Sequence, residues 1–262
     1  AKTEFAVAKQ LSGLPQFSRP DMGGVHVSEP VAAFESPPLV LFEYQAAMDL
    51  HDYLRDTEDE REVAGTLARV ATGLRAFHDS PLVLRVVKDL REETERDHVA
   101  AQRVRVRLSE TSAERGDRMD RVVRQWSGRA GTIRAYERVP IHGSFGLRSV
   151  LHDGRGLHFS HFDASRRSHP GIDVGNVLAD MLRLLKIGKH AARDRHDAGR
   201  DAFLETYFAG ASSPWRKDIP WFMVGALFRH FEKLLKHPER KSEARVDGML
   251  EACEGLLQGA RS

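Results

Sequence analysis

One cysteine in 262 residues, Cys253, excludes an internal disulfide framework and any metal site built from several thiolates. Its place in a helical, apolar pattern predicts an inert core thiol. No run approaches the ~18–20 consecutive apolar residues that a membrane span needs. The opening Ala1-Lys2-Thr3-Glu4-Phe5 lacks the apolar core of a signal peptide, so a cytoplasmic protein without membrane attachment is expected. Neither sign of charge dominates. A formal net charge of +2 argues against a bulk attraction to nucleic acid. Internal repeats and low-complexity stretches are absent as well. What remains, 41% apolar with 30% charged, is the composition of a globular protein with one large or two modest cores.

Helical spacing is clearest at 60–78, where Val63, Leu67, Val70, Leu74 and Phe77 share a stripe. A short amphipathic helix is predicted at 2–12, closed by Gly13 and Pro15, and a Pro-, Gly- and Ser-rich loop at 17–30. Val31–Phe34 and Leu39–Tyr44 read as two strands around Pro37-Pro38. Charged helices follow near 84–109 and 113–127, and later helices near 174–190, 198–208, 220–236 and 243–258. Between them, Ser149–Leu151 and Leu157–His161 flank Asp153-Gly154-Arg155-Gly156, the turn chemistry of a tight β-hairpin.

Residues 141–173 carry the chemistry. They include Ile141-His142-Gly143-Ser144-Phe145-Gly146-Leu147-Arg148-Ser149-Val150-Leu151, then Phe159-Ser160-His161-Phe162-Asp163, then His169-Pro170-Gly171-Ile172-Asp173. This stretch resembles the catalytic core of the aminoglycoside phosphotransferase family, a branch of the protein-kinase-like group. The family pattern is roughly His-Gly-Asp-Phe-His-Pro-Gly-Asn-(Val/Ile)-Leu, then Ile-Asp-Phe, then Asp-Pro-x-x-Asp-Leu. On that pattern the catalytic Asp falls on Ser144, the metal-binding Asn on Ser149 and the metal-binding Asp on His161. Leu39–Tyr44 is similar to the family's hinge strand, which implies nucleotide contact at Glu43 and Tyr44. Leu74-Arg75-Ala76-Phe77-His78 is similar to its Leu-Ala-x-Leu-His helix end. Helix 2–12 stands where the family has an upper-lobe helix whose Glu, here Glu4, pairs with a strand lysine. Lys2 is too close in sequence to be that partner.

Phosphoryl transfer needs positioned phosphates, metal ions and a group that orients the acceptor hydroxyl. A serine at 144 does not take up a proton usefully near neutral pH. A hydroxyl at 149 and an imidazole at 161 are poor ligands for Mg²⁺, a hard cation that wants charged oxygen. His142, Asp163 and Asp173 remain. The resemblance implies that Asp173 hydrogen-bonds the loop backbone and that His142 packs beneath it. Asp163 either replaces a lost metal contact or caps a turn.

His142, His152, His158, His161 and His169 crowd the region, but on a strand His158 and His161 point to opposite faces, so packing is favoured over chelation. Gly143-Ser144-Phe145 beside His142 lacks the Gly-x-Ser-x-Gly elbow of a serine hydrolase. The arginines between 96 and 138 alternate with acids and read as an ion-paired face. Arg166-Arg167 is a candidate binding site for an anion or an acidic partner. Trp215, Trp221, Phe222, Phe228 and Phe231 predict a core with part of a groove.

The expected fold is α+β and mostly helical: a kinase-like C-lobe over 45–262, holding the degenerate hairpin at 141–163, below a truncated or reduced N-lobe remnant and hinge strand over 1–44. The expected role is a pseudokinase that binds, scaffolds or regulates, with no cofactor. Its partners would be a protein, a second copy or a small molecule in the old acceptor groove, not nucleic acid. The alternative is an active phosphotransferase that uses ATP, Mg and Asp163.

Overall fold

Helix α1 (Lys2–Ser12) buries Val7, Ala8 and Leu11, and a single turn, α2 (Pro15–Ser18), follows it. The computed structural model describes residues 1–18, 24–43, 46–133, 136–187, 193–210, 213–237 and 242–259. Next comes β1 (Val25–Val27), where the sequence predicts loop. All of β1 is buried, and it runs parallel to a strand more than a hundred residues later. A three-residue strand is too short to show a period, and its partner is remote, so the local pattern misses it.

The two-stranded hairpin of β2 (Pro30–Glu35) and β3 (Pro38–Phe42) lies where the sequence places it. The chain continues through β4 (Met48–Asp49), α3 (Leu50–Asp56) and α4 (Glu60–His78). Val63, Leu67, Val70, Leu74 and Phe77 of α4 are fully buried. The next helix, α5 (Leu90–Thr111), starts later than the sequence suggests. An Asp89–Glu92 capping box fixes its first turn. The preceding residues are extended instead, with Arg167 N donating to Val86 O and Lys88 N to Arg167 O. Ser112 ends α5 and caps α6 (Ala113–Arg129).

Two further sheets position the loops. A four-stranded sheet has the order β1-β7-β6-β4, where β6 (Val150–His152) and β7 (Leu157–Phe159) form the expected hairpin. Separately, β5 (Val139–Ile141) pairs antiparallel with β8 (Arg166–Ser168), so that Ile141 faces Arg166 in register. Among the described residues, four α-helices follow: α7 (Gly171–Leu182), α8 (Arg193–Tyr207), α9 (Ile219–Lys236) and α10 (Glu243–Gly259). The sequence starts α7 at 174, but the helix begins at Gly171 and widens into a π turn over Arg183–Ile187. At Gly175 the α7 backbone meets α9, and a Cβ there would lie 2.8 Å from the Phe222 carbonyl carbon.

Helix α4 packs on α8, α7 on α9, and α5 on both α6 and α9. Trp126 and Trp221 stack at 5.0 Å, and each indole N–H donates to the other's carbonyl, at 2.9 and 2.8 Å. Buried indoles need such partners. The arginine-rich face of α5 and α6 is ion-paired, through Arg103–Glu232, Arg118–Glu254 and Arg124–Asp120. Cys253 is buried, and burial pushes its thiol up to about 12. No helix among the described residues is long and apolar enough to cross a membrane.

Candidate functional site

The loop after β5 is held at its start by Asp173 and further on by Asp180, which accepts from Leu147 N at 3.1 Å. Asp173, in the first turn of α7, accepts from His142 N at 2.7 Å and from Gly143 N at 2.8 Å. His78, the last residue of α4, lies 3.2 Å away through Nε2, and its Nδ1 is 2.6 Å from the Tyr207 hydroxyl. Burial drives the Asp173 carboxyl upward, but the hydrogen bond and charge of His78, with His142, outweigh it and hold the group below the usual carboxylate range. Gly143 takes a φ of +82°, a region that favours glycine, and a side chain there would also run into Arg166 and the Ala164 carbonyl.

His142 is sealed among Phe77, Phe145 and Phe162, with Nε2 at 2.8 Å from the Ser160 carbonyl. Burial pushes its imidazole down, towards the neutral form. Its Nδ1 is 3.4 Å from the Ser144 hydroxyl, a contact too long to activate a nucleophile.

Ser144 is exposed at the tip of the loop. Ser149 is buried, and its hydroxyl donates to the Ser144 carbonyl at 3.3 Å. The Ser149 carbonyl in turn accepts from Ser160 N at 3.0 Å and from the Ser160 hydroxyl at 3.2 Å. His161 is not on the strand: it follows β7 in the left-handed region, at φ 65°, with Nδ1 2.9 Å from Ser160 Oγ. The site therefore offers a committed neutral hydroxyl and an imidazole where Mg²⁺ would need charged oxygen. These residues do not fit that ion.

Asp163 lies exposed in the turn that α1 packs against. Its charge reaches Glu4: burial first, then Asp163, pushes the Glu4 carboxyl up, while His161 opposes them. Glu43 is exposed, and Tyr44 lies outside the described residues.

Of the candidate anion pair Arg166-Arg167, Arg166 is taken up by its neighbours. Arg166 grips both oxygens of Glu93 from α5 and also donates to the Ala164 carbonyl. The two side chains are 12% and 4% exposed, so the charge is spent internally. Burial lowers the Arg166 pKa, and the Glu93 pairing more than reverses that. Arg167 Nη2 donates to the Arg138 carbonyl at 2.6 Å. Sequence reasoning missed Glu93 because its partner is remote and its surroundings in α5 are charged throughout.

Beside Ser144 opens a cavity of about 160 Å³. Its lining includes Gly143, Ser144, Arg166, Trp126, Trp221 and Phe222, together with Lys88, Arg96 and Arg229. Arg229 pairs with Asp97 and also donates to Asn176. Of the aromatic run, Trp221 and Phe222 line this cavity and are buried with the rest.

This arrangement, a helical lobe with a hairpin and a loop hung from a buried aspartate, is the kinase-like fold of aminoglycoside phosphotransferases and choline kinases. No protein-family model and no curated protein matches the chain. Solved structures do. A choline/ethanolamine kinase family protein from Mesorhizobium loti has a TM-score of 0.61 at 16% identity, covering 97% of this chain and 79% of that one. A glucosamine kinase reaches 0.67 at 13% identity, covering 98% of this chain and 70% of the other. The ADP-bound aminoglycoside phosphotransferase APH(2'')-Ib gives 0.52 at 15% identity, with coverages of 98% and 80%. At such identities the likeness establishes the fold.

Proposed function

We propose that this chain is a kinase-fold protein without phosphotransfer, a pseudokinase that works as a binding, scaffolding or regulatory module. The observation that carries the reading is the loop itself. Ser144, Ser149 and His161 stand at the three chemical positions, and the hydroxyl of Ser149 is turned into the loop's own hydrogen bonds. Shape is kept by Asp173, while base and metal ligands are absent from those positions. A protein partner or a second copy would cover the apolar side chains exposed on the β2–β3 hairpin, Val31, Phe34, Leu39 and Leu41. The expected thermal shift with millimolar ATP and Mg²⁺ is nil within error, because a ligand that does not bind the folded state does not stabilise it. A saturable upward shift would count against the reading.

A second reading, phosphoryl transfer from ATP to a hydroxyl by a rearranged set using Asp163, has one observation in its favour. Glu4 and Asp163 bring two carboxyl groups within electrostatic reach beside the hairpin. The neighbours' names include kinases of glucosamine, choline and ethanolamine, so hydroxylated amines are the acceptors to try.

A further inference from the structure

The cavity beside Ser144 is edged by four cations and three carboxylates, but they are not equally available. Glu93 is held by Arg166, and Asp97 by Arg229. Glu92 accepts from Asp89 N at 2.8 Å in the α5 capping box. Glu93 and Asp97 are therefore neutralised by ion pairs, while Glu92 is exposed and keeps its charge. Lys88 and Arg96 differ: among the described residues neither forms an ion pair with a carboxylate, and both border the cavity. Among the lining residues, Trp126 and Trp221 are stacked on each other with their indole N–H groups on each other's carbonyls, and Phe222 lies beside Trp221. Burial, then the Arg229 charge, pushes the Arg96 pKa down, while the nearby Asp97 and Glu93 oppose them.

We propose that this cavity binds a small anion, a carboxylate or phosphate on a ring-sized apolar body, with the charge on Lys88 and Arg96 and the body against Phe222. The size is suitable: about 160 Å³ is close to the ~150 Å³ of an engineered cavity that accepts benzene. An amine would meet Lys88 and Arg96 with Glu92 as the one lining carboxylate outside an ion pair among the described residues, so the balance of unpaired charge favours an anion. This inference rests on the reading of the groove as a binding site and names its ligand class.

The test is a titration followed by tryptophan fluorescence and calorimetry, with benzoate, phenyl phosphate and benzylamine as probes. Benzoate or phenyl phosphate is expected to saturate, and benzylamine to give no signal. Arg96→Gln and Lys88→Gln should each weaken the anion about tenfold or more, the loss of one charged hydrogen bond, while Arg96→Lys restores part of it. Far-UV circular dichroism of the variants should match that of the parent, since both side chains lie at the cavity edge. Binding of benzylamine in preference to the anions would overturn the proposal, as would anion binding that ignores both Gln variants, or no binding of either anion. Transfer of phosphate from ATP to a bound anion would refute the pseudokinase reading and leave the ligand class standing.

Discussion

Asp173→Asn should cost about 3–5 kcal/mol of folding stability, the range for breaking a buried charged pair by removing one partner. For a chain of this size that lowers Tm by on the order of 10 °C. The reason lies in the two backbone donors. His142 N and Gly143 N both point at the carboxylate, and an amide must aim its own N–H₂ at one of them. His78 also loses its anionic partner inside the core. The pH dependence has a definite sign. The Asp173 pKa is depressed in the folded state, so its contribution is present above the ordinary aspartate value, about 3.9, and is lost as pH falls through the folded value. Urea melts from neutral to acid pH should show the parent losing this stability at the acid end, with the Asn variant flatter there. Equal slopes for both proteins would contradict the assignment.

The second large effect concerns the pair beneath the loop. Glu93→Gln leaves the guanidinium of Arg166 nearly buried without a counter-charge, and should cost about 3–5 kcal/mol. The double variant Glu93→Met/Arg166→Met removes both charges and should be more stable than Glu93→Gln alone, because no unpaired ion remains in the interior. Denaturant melts of Glu93→Met, Arg166→Met and the double variant close a cycle and give the coupling directly. A coupling near zero would mean that the pair is solvated and that Arg166 is free for the anion its sequence position suggests.

Regular spacing made the helices legible. The stripe of α4 needs only its own residues to be read, and so does the Asp153-Gly154 turn between β6 and β7. Strands β1, β5 and β8 were not legible, because three residues carry no period and their partners lie far along the chain. The same limit shaped the site. His142, Ser144, Ser149, His161 and Asp173 sit in one motif and can be recognised together. Glu93, Asp97 and Arg229 are ordinary charged residues on helices until folding brings α5 and α9 beside the loop. Arg166 shows the consequence: adjacent to Arg167 in sequence it reads as a free cationic pair, whereas in three dimensions Glu93 has neutralised it. The left-handed turn at His161 was also hidden, because it depends on how β7 leaves the sheet.

The central claim is that the loop is kept for its shape and does not transfer phosphate. Phosphorus-31 NMR of ATP and Mg²⁺, incubated with the protein and with glucosamine or choline as acceptor, tests this most directly. The account predicts that the γ-phosphate resonance stays at the level of a protein-free control, and that Asp163→Asn changes nothing. Growth of a phosphomonoester signal that Asp163→Asn abolishes would contradict it.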